Sequence, residues 1–169
     1  MSLTACLAAA ILTIAVPTLE AAKGRPPAGK DAALPVSLSY LQTEKFKDAS
    51  RVMKTEKSFM AFYEDLGFSY MAGFRGDKVT ALKAIYDLRP AANDSMRALF
   101  NFHASTLGML HPGTNFAKEK VSAMFDRCEP EIKAVYSRRR PKGACSFEKV
   151  RATFRRDDSK FYLDYNPER

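Results

Sequence analysis

Between Thr43 and Phe74 the large apolar side chains recur at three- and four-residue steps. Phe59, Tyr63, Leu66 and Tyr70 fall on one stripe of a helix, with Gly67 and Gly73 beside it. Gly73 and Gly76 are expected to end that element. Asp77 is expected to cap a second helix, with Val79, Leu82 and Tyr86 inward, that stops at Arg89-Pro90. Asn93 or Asp94 then caps a third, which carries Met96, Leu99, Phe100, His103, Leu107 and Leu110. Thr114 opens a fourth, striped by Ala117, Val121, Met124, Phe125, Cys128, Ile132, Val135 and Tyr136. Pro130, inside that run, is expected to kink or restart it.

A two-residue period appears in three short stretches. Val36 to Tyr40 alternates, although the same residues also suit a helix start. Val150 to Phe154 and Phe161 to Tyr165 alternate on either side of Asp157-Asp158-Ser159, which is turn chemistry, and predict a hairpin over 150–165 in preference to a short helix from Ser146. The expected fold is mainly α: four to five packed helices, a small C-terminal β-hairpin and one disulfide.

The first 21 residues follow neither period. Leu3 to Val16 is uncharged and almost wholly apolar, and it stops at Pro17. A membrane span needs roughly 20 such residues, whereas the core of a secretory signal needs about 7–15 followed by small residues. Leu19-Glu20-Ala21 suits cleavage, so residues 1–21 read as a signal peptide although the segment before the apolar run lacks Lys or Arg. Residues 22–35 read as a flexible linker rich in Pro, Gly and charge, and residues 36–169 as a single helical domain. The mature chain is expected outside the cytoplasm, periplasmic or secreted, with no transmembrane span. Cys6 would leave with the leader. Cys128 and Cys145 remain, and in an exported chain they are expected to form a disulfide, worth roughly 3 kcal/mol by loop closure.

Apolar residues make up 46% of the chain and charged residues 27%, a globular composition that excludes a disordered chain. The formal net charge is +8, and removal of Glu20 with the leader raises it by one. Most of that charge is local. Residues 133–160 hold ten Lys or Arg against Glu148, Asp157 and Asp158. Arg138, Arg139, Arg140 and Lys142 lie inside the expected disulfide loop, with Arg151 and Arg155 following, and these six form the candidate interaction surface. Such a surface fits carboxylate or phosphate on an acidic protein or an anionic envelope polymer. Nucleic acid is disfavoured, because no RNA- or DNA-binding motif accompanies the charge.

Catalytic chemistry has little to build on. His103 and His111 are eight residues apart, about 12 Å along one helix, too far to share a metal ion. Glu64, Asp65, Asp87 and Asp94 are the acids nearest the apolar stripes, and with His103 they are the candidates for a hydrolase acting on envelope polymer. Arg75-Gly76-Asp77 reads as a helix stop followed by a helix start. No catalytic residue, metal or cofactor is expected. The function that remains is a non-catalytic extracytoplasmic protein binding another macromolecule, as an inhibitor, immunity protein or envelope adaptor. The alternatives are a basic binder of anionic polymer, or the hydrolase.

Overall fold

Phe59, Ala61 and Tyr63 alternate with Met60 and Phe62, and this two-residue period prevails over the helical one. In the structure, a computed structural model that describes residues 32–90, 93–112 and 118–168, the first half of the domain is a meander of four strands. These are β1 (Arg51–Lys54), β2 (Ser58–Tyr63), β3 (Phe68–Arg75) and β4 (Lys78–Asp87). Two long helices follow, α2 (Met96–Leu110) and α3 (Lys118–Tyr136), preceded in the chain by the one-turn α1 (Leu38–Tyr40). A second meander of β5 (Lys142–Phe147), β6 (Val150–Arg156) and β7 (Lys160–Pro167) ends the chain. All seven strands join one antiparallel sheet in the order β1-β2-β3-β4-β7-β6-β5. The fold is therefore not mainly α, and the all-helical expectation for 43–88 is overturned.

The physical reason lies in spacings that satisfy both periods. Phe59 and Tyr63 are four apart, one helical turn but also two full strand repeats. The step from Val79 to Leu82 looks helical for another reason. Gly73 pairs with Ala81 and Phe74 with Val79, so β4 carries an extra residue at a bulge that returns Val79 to the face of Leu82, Ala84 and Tyr86. Gly76-Asp77 is the two-residue turn of this hairpin, with Gly76 at φ +59°. Both carboxylate oxygens of Asp77 are bound by Ser39, through its backbone N–H at 2.7 Å and its hydroxyl at 3.0 Å. The 150–165 alternation forms β6 and β7, not as a small appendage but as interior strands of the sheet.

The two long helices lie where the stripes predict. Ser95, rather than Asn93 or Asp94, caps α2 by accepting from the Ala98 N–H. The helical assignment of α3 runs through Pro130 without interruption. Thr114 and Ala117, like the leader 1–21 and most of the linker, lie outside the described residues. Of the linker's last residues, Leu34 is buried and its N–H donates to Val79 O. Among the described residues no helix is long and apolar enough to cross a membrane.

The core lies between one face of the sheet and the elements that cover it. Phe102 of α2 meets Phe68, Tyr70 and Tyr86 at centroid distances of 5.1, 5.7 and 4.7 Å, and Phe46 stacks on Phe59 and Tyr70 beside them. Cys128 of α3 is bonded to Cys145 of β5, tying the last helix to the edge strand. That approach is close: a Cβ on Gly143 would lie 3.0 Å from Val135 Cγ2 and 3.1 Å from the Glu131 carbonyl. Gly143→Ala is therefore expected to destabilise the domain by roughly 1–3 kcal/mol, since the backbone of α3 must yield. The urea midpoint checks this, with Gly73→Ala as the control, because a Cβ there finds its nearest neighbour at an ordinary 3.4 Å.

Candidate functional site

Strand pairing sends alternate residues to opposite faces, so one register line fixes what the uncovered face displays. One row across the sheet reads Arg51, Phe62, Ser69, Ile85, Tyr162, Arg155, Lys142, and the next reads Met53, Met60, Met71, Lys83, Asp164, Thr153, Ala144. Contacts along these rows hold the side chains in place. Arg51 sits over the Phe62 ring at 4.4 Å and Arg155 over the Tyr162 ring at 4.0 Å. Lys83 pairs with Asp164 at 3.4 Å. Both helices lie against the opposite face, as the contacts of Phe102 with Tyr86 and of His103 with Tyr165 require for α2 and the bond of Cys128 to Cys145 requires for α3.

The face divides by chemistry. Its β1–β3 half is rich in methionine and aromatic carbon, with Met53 half exposed. Its β5–β6 half is basic. Lys142 stands directly opposite Arg155, a like-charge pairing that is unfavourable in isolation. Arg151 lies on the same face two repeats along, past Thr153, opposite Ser146 and Asn166. Among the described residues Lys142 and Arg151 form no ion pair. A depression of ≈ 630 Å³ runs along this half, lined by Lys142, Thr153, Arg155 and Asp164 and reaching Glu131 at the edge of α3.

The three consecutive arginines sit elsewhere and do different work. They form the turn from α3 to β5. Arg138 takes the left-handed conformation at φ 59°, and the N–H groups of Arg139 and Arg140 both donate to Ala134 O. Arg138 pairs with Asp158 at 2.8 Å and Arg140 with Glu131 at 3.0 Å. Cations at this position also suit the negative end of the helix dipole. The structure thus places Lys142, Arg151 and Arg155 together on the sheet and leaves Arg138, Arg139 and Arg140 in a helix cap.

Three of the four acids considered for hydrolysis are engaged structurally. Asp87 accepts from Arg89 Nε at 3.0 Å, and that hydrogen bond holds its carboxyl below the usual range. Asp94 accepts from the Tyr136 hydroxyl at 2.7 Å, and Glu64 pairs with Arg51 at 3.5 Å. Asp65 belongs to an exposed single turn between β2 and β3. His111 caps the end of α2, where burial lowers its pKa. Nothing in this placement supports the hydrolase.

His103 is buried beneath the sheet, where sequence reading expects a hydrogen-bonded core residue. Its Nδ1 lies 2.9 Å from the Tyr165 hydroxyl, and its Nε2 faces Cys145 Sγ of the disulfide at 3.9 Å. A neutral ring with the proton on Nε2 satisfies both neighbours, with Tyr165 donating to Nδ1. The juxtaposition of His103 with both cysteines has no signature in the sequence, because α2, α3 and β5 bring the three together from separate segments.

No protein family, curated protein or solved structure matches this chain.

Burial pushes the His103 pKa from its ordinary 6.5 down to about 3. Between those values the unfolded chain binds the proton and the folded chain does not. Its contribution to stability is therefore complete above 6.5 and is lost as pH falls toward 3, at about 1.4 kcal/mol per pH unit. Denaturant titrations of the wild type and His103→Gln at a series of pH values check this. The wild type should lose stability faster than the variant over that window by the slope of about one proton.

Proposed function

We infer that the chain works outside the cytoplasm as a non-catalytic binding module, and that its open sheet face grips an acidic protein. The carrying observation is the pairing of Lys142 with Arg155, with Arg151 on the same uncovered face. Folding gains nothing from setting like charges opposite one another, whereas a carboxylate-rich partner relieves the repulsion. The other half of the face favours a protein over a polyanionic polymer. Met53, Met60, Met71 and Phe62 offer apolar surface continuous with the charge, and methionine, aromatic residues and arginine are the types enriched in protein interfaces. The reading of export rests on the apolar run from Leu3 to Val16, and the Cys128–Cys145 disulfide accords with an oxidising compartment.

Two triple variants that remove equal charge test this. With poly-L-glutamate as the acidic probe, Lys142→Ser/Arg151→Ser/Arg155→Ser is expected to raise Kd about tenfold or more, the equivalent of about 1.4 kcal/mol. Arg138→Ser/Arg139→Ser/Arg140→Ser should change it by less than about twofold, a few tenths of a kcal/mol. Amide shifts on titration should cluster in β5, β6 and β7. Equal weakening by the two variants would mean that net charge alone acts, and would remove the assignment to the sheet face.

A further inference from the structure

We propose that, when its disulfide is reduced, the chain binds one zinc ion between Cys128, Cys145 and His103. The three ligand atoms already lie within 4.8 Å of one another and are enclosed by the fold. They come from α3, β5 and α2, three elements whose positions are set by packing rather than by the disulfide alone. The imidazole is oriented as metal-bound imidazoles are, with one nitrogen toward the sulfurs and the other held by a hydrogen-bond partner. Tyr165 serves either tautomer, because a tyrosine hydroxyl both donates and accepts. The ring can therefore carry its proton on Nδ1 and present the Nε2 lone pair to the ion.

Charge selects the ion. Cys128 and His103 have no exposed surface, so a net charge left there would be costly. Two thiolates, one neutral imidazole and a divalent cation sum to zero, whereas a monovalent ion would leave one negative charge buried. Thiolate and imidazole ligands favour zinc over calcium or magnesium, which take oxygen. Three protein ligands leave the fourth tetrahedral position to water or another small ligand.

The reaction balances as follows. A dithiol reductant gives two electrons and two protons to the Cys128–Cys145 bond and closes its own cyclic disulfide. Zinc then displaces the two thiol protons to solvent, and the imidazole proton passes from Nε2 to Nδ1. The link between α3 and β5 is kept in both states, through sulfur–sulfur in one and through the metal in the other. This inference is independent of the binding face.

The test uses the full chain, reduced anaerobically with dithiothreitol, freed of reductant by gel filtration and titrated with Co²⁺ as a spectroscopic probe. Sulfur-to-cobalt charge-transfer bands should saturate at one ion per chain and disappear when Zn²⁺ is added, while the disulfide-bonded chain shows none. X-ray absorption of the zinc-loaded wild type should find two sulfurs at about 2.3 Å and one imidazole nitrogen at about 2.0 Å. His103→Gln should bind at least about tenfold more weakly. The proposal fails if the reduced chain takes up no Co²⁺, or if it unfolds and does not refold with zinc. It also fails if the absorption spectrum lacks imidazole or shows more than two sulfurs, a readout on the wild type that decides the matter even if His103→Gln does not fold.

Discussion

Pairing between β4 and β7 joins two meanders that would otherwise be separate sheets. Leu82 pairs with Tyr165 and Asp87 with Lys160, across a sequence gap that includes both long helices. Because the side-chain period of a strand is two, this one register decides which face every neighbouring strand turns toward the helices. With β4 held in place, a slip of one residue would turn β7 over, burying Asp164 and Tyr162 and exposing Leu163 and Tyr165. The buried face is large and aromatic, so that alternative is strongly disfavoured, and the polar and basic residues are held together on the other side.

The covered face is closed in two ways. Over β2–β4 the closure is aromatic: Phe46 and Phe102 bridge Phe59, Phe68, Tyr70 and Tyr86. Over β5–β7 it is helical and covalent, with α3 drawn onto the edge strand by the disulfide and by the missing side chain of Gly143. Several polar groups within this layer satisfy one another. Tyr70 and Thr106 share a hydrogen bond at 3.2 Å, Thr106 donates to Phe102 O at 2.8 Å, and Tyr165 pairs with His103. Buried hydroxyls without such partners would cost about as much as the hydrogen bonds contribute.

What was legible in the sequence followed from unambiguous periods. The α2 and α3 stripes run long enough that only a helix places Leu99, His103, Leu107 and Leu110 on one side, and the same holds for Met124, Cys128, Ile132 and Val135. Asp157-Asp158-Ser159 announced its turn, where Asp157 accepts from the N–H groups of Ser159 and Lys160. The first meander was hidden. Four-residue spacings fit both structures, the small inward Ala61, Ala72 and Ala84 carried no weight as core residues, and the bulge opposite Gly73 disguised a strand as a helix. The β5–β6 turn was hidden too, since Glu148 and Lys149 both take positive φ without the glycine or asparagine that usually signals it. The basic segment was visible, but its division into a helix cap and a sheet face depends on register, which local sequence does not encode.

An uncovered, methionine-bearing and basic sheet face is the claim on which the functional reading stands. Methionine methyl signals in the full chain, measured with a neutral soluble paramagnetic probe, test it most directly. Met53, Met60 and Met71 should broaden strongly, while Met109 and Met124, buried beneath the sheet, should stay sharp. Protection of Met60 and Met71 to the level of Met124 would mean that this face is covered in solution, and would contradict the account.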